Sequence, residues 1–303
     1  MNTTLSDAEL QAFQELILLN DQPIGGSIRK LKGSIYESLI GLPEMICKNP
    51  YYVSTNQFTF KCPFQICLRS MRSNAKMKWT DIDVTRANKY IESNGISIYS
   101  HAPYTFNLCR SSYDPKAVSA MDNLVHELII ANRAGFKGVV IHVGKVCKLD
   151  ESVAMDNKKR NLMYILRKYR SELESESIER IHPCRLLLET PAGQGTETLT
   201  TLEEFTDFCQ PFIEKFSDIF GTCIDTCHIF ACNYLPSEYI GGYIEKLDRS
   251  TIGLIHFNDS KKEKGSRVDR HHCYLRQGGH IGPIEMLNTA HLCMDLGLDM
   301  IVE

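Results

Sequence analysis

The chain has 303 residues, of which 43% are hydrophobic and 23% are charged, and its formal net charge is -3 at pH 7. This composition is typical of a globular protein, and no apolar run approaches the roughly 18 residues of a membrane helix, which excludes a membrane protein. The length suits one large domain such as an α/β barrel. An acidic net charge argues against a nucleic-acid partner unless positive charge is concentrated locally.

The first 22 residues contain four acids and neither Lys nor Arg, which excludes a secretory or transit peptide. Ser6 and Glu9 form a capping-box pattern, and an apolar helical face follows them. We therefore expect residues 1–22 to be a helical extension that packs on the outside or bottom of a catalytic domain spanning residues 23–303.

The twelve cysteines are scattered through apolar segments and lack the density of a small disulfide scaffold. We expect mostly buried, reduced thiols. This predicts an intracellular, reducing compartment, the cytoplasm or the nucleus, and a protein that is not secreted.

Eight short apolar stretches recur along the chain, and helix-patterned segments separate them. Continuous apolar runs rich in β-branched residues are typical of strands buried on both faces, and helical spacers imply a parallel sheet. Residues 122–135 give the clearest helix, with Gly135 as its C-cap. The pattern predicts a (β/α)8 TIM-type barrel, with strands in residues 23–28, 64–68, 96–102, 138–144, 185–193, 221–226, 251–259 and 299–303.

A polar, ligand-type residue ends each of the last six stretches. In a barrel these carboxyl ends converge on one face, where active sites of this fold lie. His228 follows the sixth stretch, and Asp269 and His271 are two residues apart, so that they point the same way on an extended segment. The strand-end residues are His101, His142, Glu189, Asp225, His256 and Glu303.

Together these positions supply five imidazoles and four carboxylates. A lone strand-end His is more often structural and a lone Asp is more often a helix cap, but six in register are not explained in that way. Burying four carboxylates together requires cations. Mixed His, Asp and Glu donors favour Zn2+, with Mn2+ as an alternative at one site, and nine ligands suit three ions.

The stretch Cys223 to His228 has three residues between its cysteines, whereas a haem attachment site needs two, and no second Cys/His pair completes a zinc knuckle. Both of these motifs are therefore excluded.

Five blocks of the sequence, in order, resemble the signature blocks of the endonuclease IV family, the metal-dependent apurinic/apyrimidinic endonucleases. The resemblance covers roughly residues 23–303. The blocks are HAPYTFNL (101–108), ETPAGQG (189–195), CIDTCH (223–228), HFNDSK (256–261), and VDRHH (268–272) with HIG (280–282).

The resemblance implies a trinuclear zinc site. One ion would be held by His101, His142 and Glu189, a second by Glu189, Asp225, His256 and Glu303, and a third by His228, Asp269 and His271. The catalytic residues would be Glu189, which bridges two ions, and Glu303. Cys223 and Cys227 would be packing residues.

The family acts on double-stranded DNA with abasic sites. It cuts 5′ to the lesion and leaves a 3′-hydroxyl and a 5′-deoxyribose phosphate. The resemblance thus implies a monomeric DNA-repair hydrolase. Family members continue beyond the position of Glu303, so it also implies a longer natural chain.

Two basic loops answer the objection from net charge. Residues 261–276 carry a local formal balance of +4, including Arg270, and a second loop contains Arg69, Arg72, Lys76 and Lys78. Both follow predicted strands at the end where the ligands lie, so we expect them to contact a nucleic-acid backbone.

By the same resemblance, Tyr104 enters the duplex at the lesion, although Thr105 replaces the usual Leu. The predicted DNA-contact residues are therefore Tyr104, Arg72 and Arg270.

Two other hypotheses stay open from the sequence. A metal-dependent sugar isomerase or epimerase places a metal at the same strand ends, but it uses fewer ligands and leaves His228 and the 268–272 block without a role. A non-catalytic abasic-DNA-binding protein would keep the surface without the chemistry. Metal stoichiometry separates the first from the nuclease, and cleavage separates the second.

Overall fold

The structure is a computed structural model and describes residues 5–19, 24–28, 33–43, 62–70, 79–175 and 182–303. Eight parallel strands follow one another around a closed barrel, and the last strand pairs with the first. The predicted (β/α)8 fold is thereby confirmed. The barrel strands are β1 (Ile24–Ile28), β2 (Phe64–Ile66), β3 (Ile98–His101), β4 (Gly138–His142), β5 (Arg185–Glu189), β6 (Phe220–Asp225), β7 (Ile252–His256) and β10 (Met300–Val302).

Helices lie between the strands and form the outer layer. The helix predicted over residues 122–135 lies within the longer α4, and Gly135 ends it in the left-handed region at φ 92°. A small antiparallel hairpin, β8 (Asp259–Ser260) with β9 (His271–His272), follows β7. The helices are α1 (Asp7–Leu19), α2 (Ile35–Ile40), α3 (Asp81–Asn94), α4 (Pro115–Ala134), α5 (Glu151–Ser175), α6 (Leu202–Phe216), α7 (Thr226–Ala231), α8 (Pro236–Lys246), the 3-10 turn Arg249–Thr251 and α9 (Pro283–Asp295).

The apolar core has two layers. Alternate strand residues point inwards and fill the barrel as one cluster, and the other strand residues pack against the helices in a larger cluster. Full burial of such side chains stabilises the fold by about 1.5–3 kcal/mol each. The inner cluster consists of Tyr99, Val140, Leu187, Cys223, Leu254 and Ile301.

Strand register aligns the candidate ligands. His142 pairs with Glu189 across β4 and β5, and Asp225 pairs with His256 across β6 and β7. Because the strands are parallel, all of these residues lie at the same carboxyl end. The register therefore brings residues that are 31 to 47 positions apart in the chain to neighbouring places on one rim.

Helix α1 begins as its sequence predicts. The Ser6 hydroxyl accepts a hydrogen bond from the Glu9 amide at 3.3 Å, and the Ser6 amide donates to the Glu9 carboxylate at 2.8 Å. The helix packs against α9, with Leu16 fully buried, whereas Leu10 is 46% exposed. The division of the chain at residue 22 stays a prediction.

The cysteines within the described ranges are all free, and seven of them are buried. None of the helices described is both long enough and apolar enough to span a membrane.

Candidate metal centre

All nine predicted ligands gather at the carboxyl end of the barrel. Five of them end barrel strands β3 to β7, and Glu303 directly follows β10. His228 lies in α7, His271 begins β9, and Asp269 lies two residues before it. Their donor atoms form overlapping groups within 4.8 Å of one another, three of which are His101 with His142 and Glu189, His101 with His256 and Glu303, and His228 with Asp269 and His271.

Glu189 stands at the centre of the cluster. Its Oε2 lies 3.3 Å from His101 Nε2 and 3.4 Å from His142 Nδ1. Its Oε1 lies 2.7 Å from His256 Nδ1 and 3.8 Å from His228 Nδ1, and the side chain is fully buried. One carboxylate thus faces both halves of the site, as a bridging ligand must.

Backbone carbonyls fix the tautomers of two histidines. A carbonyl can only accept a hydrogen bond, so His101 Nδ1 donates to Ala102 O at 2.7 Å and His228 Nδ1 donates to Thr190 O at 2.8 Å. Each ring therefore presents an unprotonated Nε2 to the cluster when it is neutral. Anchoring of the second ring nitrogen in this way is typical of metal-binding histidines.

His256 is oriented by a side chain instead. Its Nε2 donates to Gln65 Oε1 at 2.8 Å, which turns Nδ1 towards Glu189 and Glu303. The same Gln65 amide donates from Nε2 to Glu303 Oε1 at 2.6 Å. One buried amide on β2 therefore positions a histidine and a carboxylate together.

Asp225 has two roles. Its Oδ1 accepts a hydrogen bond from the His228 amide at 2.8 Å and caps helix α7. Its Oδ2 accepts from Asn258 Nδ2 at 2.8 Å and lies 3.5 Å from His271 Nε2. The ordinary capping role of a strand-end Asp is thus present and leaves one oxygen for the cluster.

The third group leaves buried nitrogen atoms unsatisfied. Within the described part of the chain, His228 Nε2 and His271 Nε2 are buried without a hydrogen-bond partner, 3.6 Å and 3.2 Å from carboxylate oxygens of Asp269. A buried polar atom without a partner costs about 1–3 kcal/mol. A cation held between these side chains would remove this cost, so the residues present fit a metal ion.

The ionisation of the cluster reflects crowded opposite charges. Burial opposes the charge on His228, but Asp225, Asp269 and Glu189 raise its pKa well above the ordinary value. Burial likewise opposes the charge on His256, and the neighbouring Cys223 and acidic groups raise its pKa. Protons on the imidazoles therefore balance the carboxylates wherever cations do not.

Other members of the cluster have lowered pKa values. Burial lowers the pKa of His142 to about 4 against the opposing effect of Glu189, so this ring is neutral at pH 7. Burial opposes the charge on Glu189 and on Asp269, yet the histidines beside them hold the Glu189 pKa well below its usual range and lower that of Asp269 to about 2. The carboxylates stay ionised and available to a cation.

Two thiols lie within reach of the donor atoms. Cys223 groups with Glu189 and His256, and Cys227 groups with Asp225 and His271. Burial raises the pKa of each thiol to about 12, which keeps it protonated, whereas only a thiolate is a strong metal ligand. Their role as packing residues stays a prediction.

Three supporting residues were missed from the sequence: Gln65, Thr190 and Asn258. Each is buried and places its oxygen or amide next to a ligand. The one available signal was a single polar residue inside an apolar stretch, such as the Gln65 of FQI, which is also compatible with an ordinary strand.

The predicted DNA-contact residues have different outcomes. Tyr104 is 54% exposed with its ring 6.3 Å from that of His142, and Arg270 is exposed beside Asp269. Arg72, like Lys76 and Lys78, lies outside the described residues. Their roles in DNA binding stay predictions.

The prediction for Arg69 as a backbone-gripping residue is wrong. Its Nε lies 2.9 Å from Glu127 Oε2, its Nη2 donates to Asn123 O at 3.1 Å, and only 7% of the residue is exposed. Glu127 is a fully buried carboxylate on α4 and requires a cation. This pairing holds Arg69 away from the surface.

A cavity of about 700 Å3 opens beside the cluster. His142, His228 and Asp269 form part of its wall, and Tyr104 lies at the opening together with Thr105. Arg110, Lys116 and Lys145 also line it. Two of them are paired with acids, Arg110 with Asp114 at 3.1 Å and Lys145 with Glu197 at 3.5 Å. The cavity thus has cationic side chains in the same wall as members of the ligand cluster.

The chain is similar to several known proteins. A family model described as a xylose isomerase-like TIM barrel matches residues 64–291. A putative endonuclease 4 of Acanthamoeba polyphaga mimivirus is 30% identical over 260 residues, which cover 78% of this chain and 78% of that protein. A probable endonuclease 4 of Mycoplasma genitalium is 31% identical over 186 residues, which cover 60% of this chain and 58% of that protein.

Among solved structures, endonuclease IV from Thermus thermophilus superposes with a TM-score of 0.68 at 24% identity, over 92% of this chain and 91% of that one. This likeness shows the fold. The family model and the sequence relatives go further, because they extend over most of the chain, and the residues that the family model matches include every candidate ligand except Glu303. The chain belongs to the endonuclease IV family of xylose isomerase-like TIM barrels.

Proposed function

We propose that this protein is a zinc-dependent DNA-repair endonuclease that hydrolyses the phosphodiester bond 5′ to abasic sites in double-stranded DNA. The products would be a 3′-hydroxyl and a 5′-deoxyribose phosphate. The observation that carries the proposal is the convergence of nine His, Asp and Glu side chains at the mouth of the barrel. Relatives named endonuclease 4 support the nuclease class.

The donor set fits three divalent cations. Closed groups of nitrogen and carboxylate donors favour Zn2+, with Mn2+ as an alternative at one site. If all four carboxylates and three dications are present, the pocket has a net charge of about +2, which favours a phosphate. The proposed ligands are His101, His142 and Glu189 for one ion, Glu189, Asp225, His256 and Glu303 for the second, and His228, Asp269 and His271 for the third.

Bound divalent cations would supply Lewis-acid stabilisation of the phosphate and lower the pKa of the attacking water. Glu189 orients the cluster, since its two oxygens contact imidazoles on both sides. The Glu303 side chain is 21% exposed at the edge of the cluster, where it can accept the proton that the attacking water loses. As the water oxygen bonds to phosphorus, the bond from phosphorus to the 3′ oxygen breaks, and that oxygen takes up a proton from solvent.

Selection of an abasic site would rest on shape. Tyr104 is an exposed aromatic ring next to His142, at the opening of the cavity. An aromatic side chain that enters a duplex pays a lower unstacking cost where a base is missing. Arg270 lies beside the third ligand group, where a guanidinium can contact a flanking phosphate. No base needs to be read in this scheme.

The decisive experiment uses a duplex with one tetrahydrofuran abasic analogue and a matched duplex without the lesion. We expect a single cut 5′ to the analogue, loss of cutting with a zinc chelator, recovery when Zn2+ is restored, and about three metal ions per chain by elemental analysis. Binding of the analogue duplex by the metal-loaded protein without any cut would contradict the proposal and favour a non-catalytic lesion-binding protein.

The second candidate is a metal-dependent sugar isomerase or epimerase, because the family model describes a xylose isomerase-like barrel. The donor set disfavours it, since His228, Asp269 and His271 form a further group beyond the strand ends. A stoichiometry near one metal ion per chain, together with conversion of a free sugar, would support this candidate.

A monomeric state in solution stays a prediction.

A further inference from the structure

Helix α5 carries a concentrated positive charge that the proposed chemistry does not use. Residues 158–170 read KKRNLMYILRKYR and contain six Lys or Arg and no acid, in a chain whose net charge is -3. Charges of one sign usually repel one another along a helix and are diluted by acids. A run of this kind on one helix therefore calls for an explanation.

Half of these cations have structural partners. Lys158 is buried and donates from Nζ to Thr198 Oγ1 at 2.6 Å. Lys168 pairs with Asp122 at 2.9 Å, and Arg170 pairs with Asp218. These three residues join α5 to the rest of the barrel.

The other three are exposed and have no carboxylate within ion-pair distance among the residues that the structure describes. They are Lys159, Arg160 and Arg167. Arg160 contacts Asp156 O, at 3.3 Å, and the Asn157 side chain. Together with Met163, Tyr164 and Lys168 they line one shallow surface depression of about 620 Å3.

The composition of this face fits a nucleic-acid backbone. Positions 160, 163, 164 and 167 share one side of a helix, and Tyr164 is 46% exposed between the cations. Lys159 and Arg167 are about 12 Å apart along the helix axis at 1.5 Å per residue, which suits about three successive phosphates of one strand. The face offers no apolar groove deep enough for a protein segment, since Met163 and Tyr164 are its only apolar members.

The same helix is joined to the candidate active site. Asn157 Nδ2 donates to Cys109 O at 3.1 Å, and Asn161 Nδ2 donates to Leu108 O and to Arg110 O at 2.9 and 2.8 Å. This loop continues the segment that begins at Tyr104, and Arg110 lines the cavity beside the ligand cluster. Helix α5 is thus held directly against the loop that lines that cavity.

We propose that the exposed basic face of α5, defined as Lys159, Arg160 and Arg167, binds the phosphate backbone of duplex DNA that flanks the lesion on one side. This inference rests on the proposed function, because it assumes that the duplex lies across the mouth of the barrel. It extends the contact surface from the cavity along α5. Since a backbone carries no base sequence, the contact raises affinity for long duplexes without changing specificity.

The test compares the wild-type protein with the triple variant Lys159→Gln, Arg160→Gln, Arg167→Gln. Dissociation constants are measured at several salt concentrations for abasic-analogue duplexes with about 6 or about 20 base pairs on each side of the lesion. We expect the variant to bind the long duplex about tenfold or more weakly. Its slope of log affinity against log salt should fall by about 2 to 3, at about 0.9 per phosphate contact. Binding and cleavage of the short duplex should be unchanged, which also shows that the variant is folded.

A matched control is the variant Lys89→Gln, Lys215→Gln, Lys246→Gln, which removes the same charge from exposed positions on α3, α6 and α8. It should bind the long duplex as the wild type does. An equal loss of affinity for the long duplex in both triple variants would show that the effect comes from net charge alone, and it would overturn the proposal. Unchanged long-duplex binding by the α5 variant would also overturn it and would point to an acidic protein as the partner of this face. Failure of the wild type to cut the short duplex would instead count against the proposed function.

Discussion

The ionisable groups at the two ends of the barrel differ in how fully they are paired. At the amino end, Tyr99 Oη lies 2.7 Å from Asp299 Oδ2, and Lys137 Nζ lies 2.7 Å from the same atom. At the carboxyl end, two buried imidazole nitrogens, His228 Nε2 and His271 Nε2, have no hydrogen-bond partner among the described residues. At the amino end the protein itself pairs Asp299, whereas at the carboxyl end two nitrogens are left that a bound cation could pair with.

This difference separates stability from chemistry within one fold. Satisfied pairs at the amino end stabilise the closed sheet, as is usual for that face of a barrel, and active sites lie at the other face. A cluster of incompletely paired donors is costly for folding but is ready to bind a cation. Substitutions at the two ends should therefore have separable effects.

The largest effect is expected from Glu189→Gln, which keeps the shape and removes the central charge. We expect cleavage of abasic duplex to fall by about 1000-fold or more, roughly 4 kcal/mol of transition-state stabilisation, because the cations lose their shared ligand. Single-turnover rates and elemental analysis measure the two consequences. A variant with full metal content and a rate within tenfold of the wild type would show that the charge of Glu189 is not needed for metal binding or for cleavage.

A smaller effect is expected at the third group, where two adjacent histidines give an internal control. His271→Ala should lower the cleavage rate about 100-fold and the metal content by about one ion per chain. His272→Ala should change neither, because His272 Nδ1 donates to Cys273 O at 2.9 Å and His272 is not one of the nine proposed ligands. Equal effects of the two substitutions would contradict the proposal of a third metal site.

Metal binding should depend on pH in a direction set by the raised pKa values of His228 and His256. In chelator-treated protein, their protonated forms add stability that is present below the unfolded pKa of about 6.5 and is lost as pH rises through the raised folded values. Divalent cations displace these protons, so zinc affinity should rise over the same window. Calorimetry in buffers of different ionisation enthalpy should detect proton release at pH about 7, and its absence would show that the rings are already neutral.

At the mouth of the barrel, Tyr104→Ala should weaken binding of the abasic-analogue duplex about tenfold, as expected for loss of one stacking contact. Metal content should stay the same, because Tyr104 belongs to none of the donor groups found among the described residues. Fluorescence anisotropy measures the affinity. Unchanged affinity would show that this ring takes no part in lesion recognition.

The smallest effect on activity is expected at the amino end. Asp299→Asn removes the charge that pairs with Lys137 and accepts from Tyr99, so the free energy of unfolding should fall by about 1–2 kcal/mol. Rate and metal content should not change. Urea unfolding of the metal-loaded protein, next to a cleavage assay, tests both statements. A large loss of activity at full metal content would show that the two ends are coupled.

Much of the fold and of the candidate site was predictable from local pattern. Short, mostly apolar stretches marked every barrel strand, because strands buried on both faces are rich in apolar residues. The ligand-type residues could be placed at one rim because parallel strands share a direction. His101 and Glu303, 202 positions apart in the chain, were predicted to lie on the same face of the barrel for that reason.

What could not be predicted depends on partners that are distant in sequence. Arg69 reads as part of a basic loop, and only the packing of α4 shows that the buried carboxylate of Glu127 holds it inside. Gln65 reads as one polar residue in a strand, and only barrel closure brings its amide between His256 and Glu303. Asp225 combines a cap with a cluster contact in a way that the sequence leaves undecided.

The sequence by itself determined which residues are ionisable, where strands end and which side of the sheet those ends share, because these follow from hydrophobic period and chain direction. Tertiary structure alone decided which ring nitrogen faces the cluster, which cations are paired and which stay exposed, as on α5. These outcomes depend on hydrogen-bond geometry over a few ångströms between segments far apart in the chain, and no local pattern encodes that geometry.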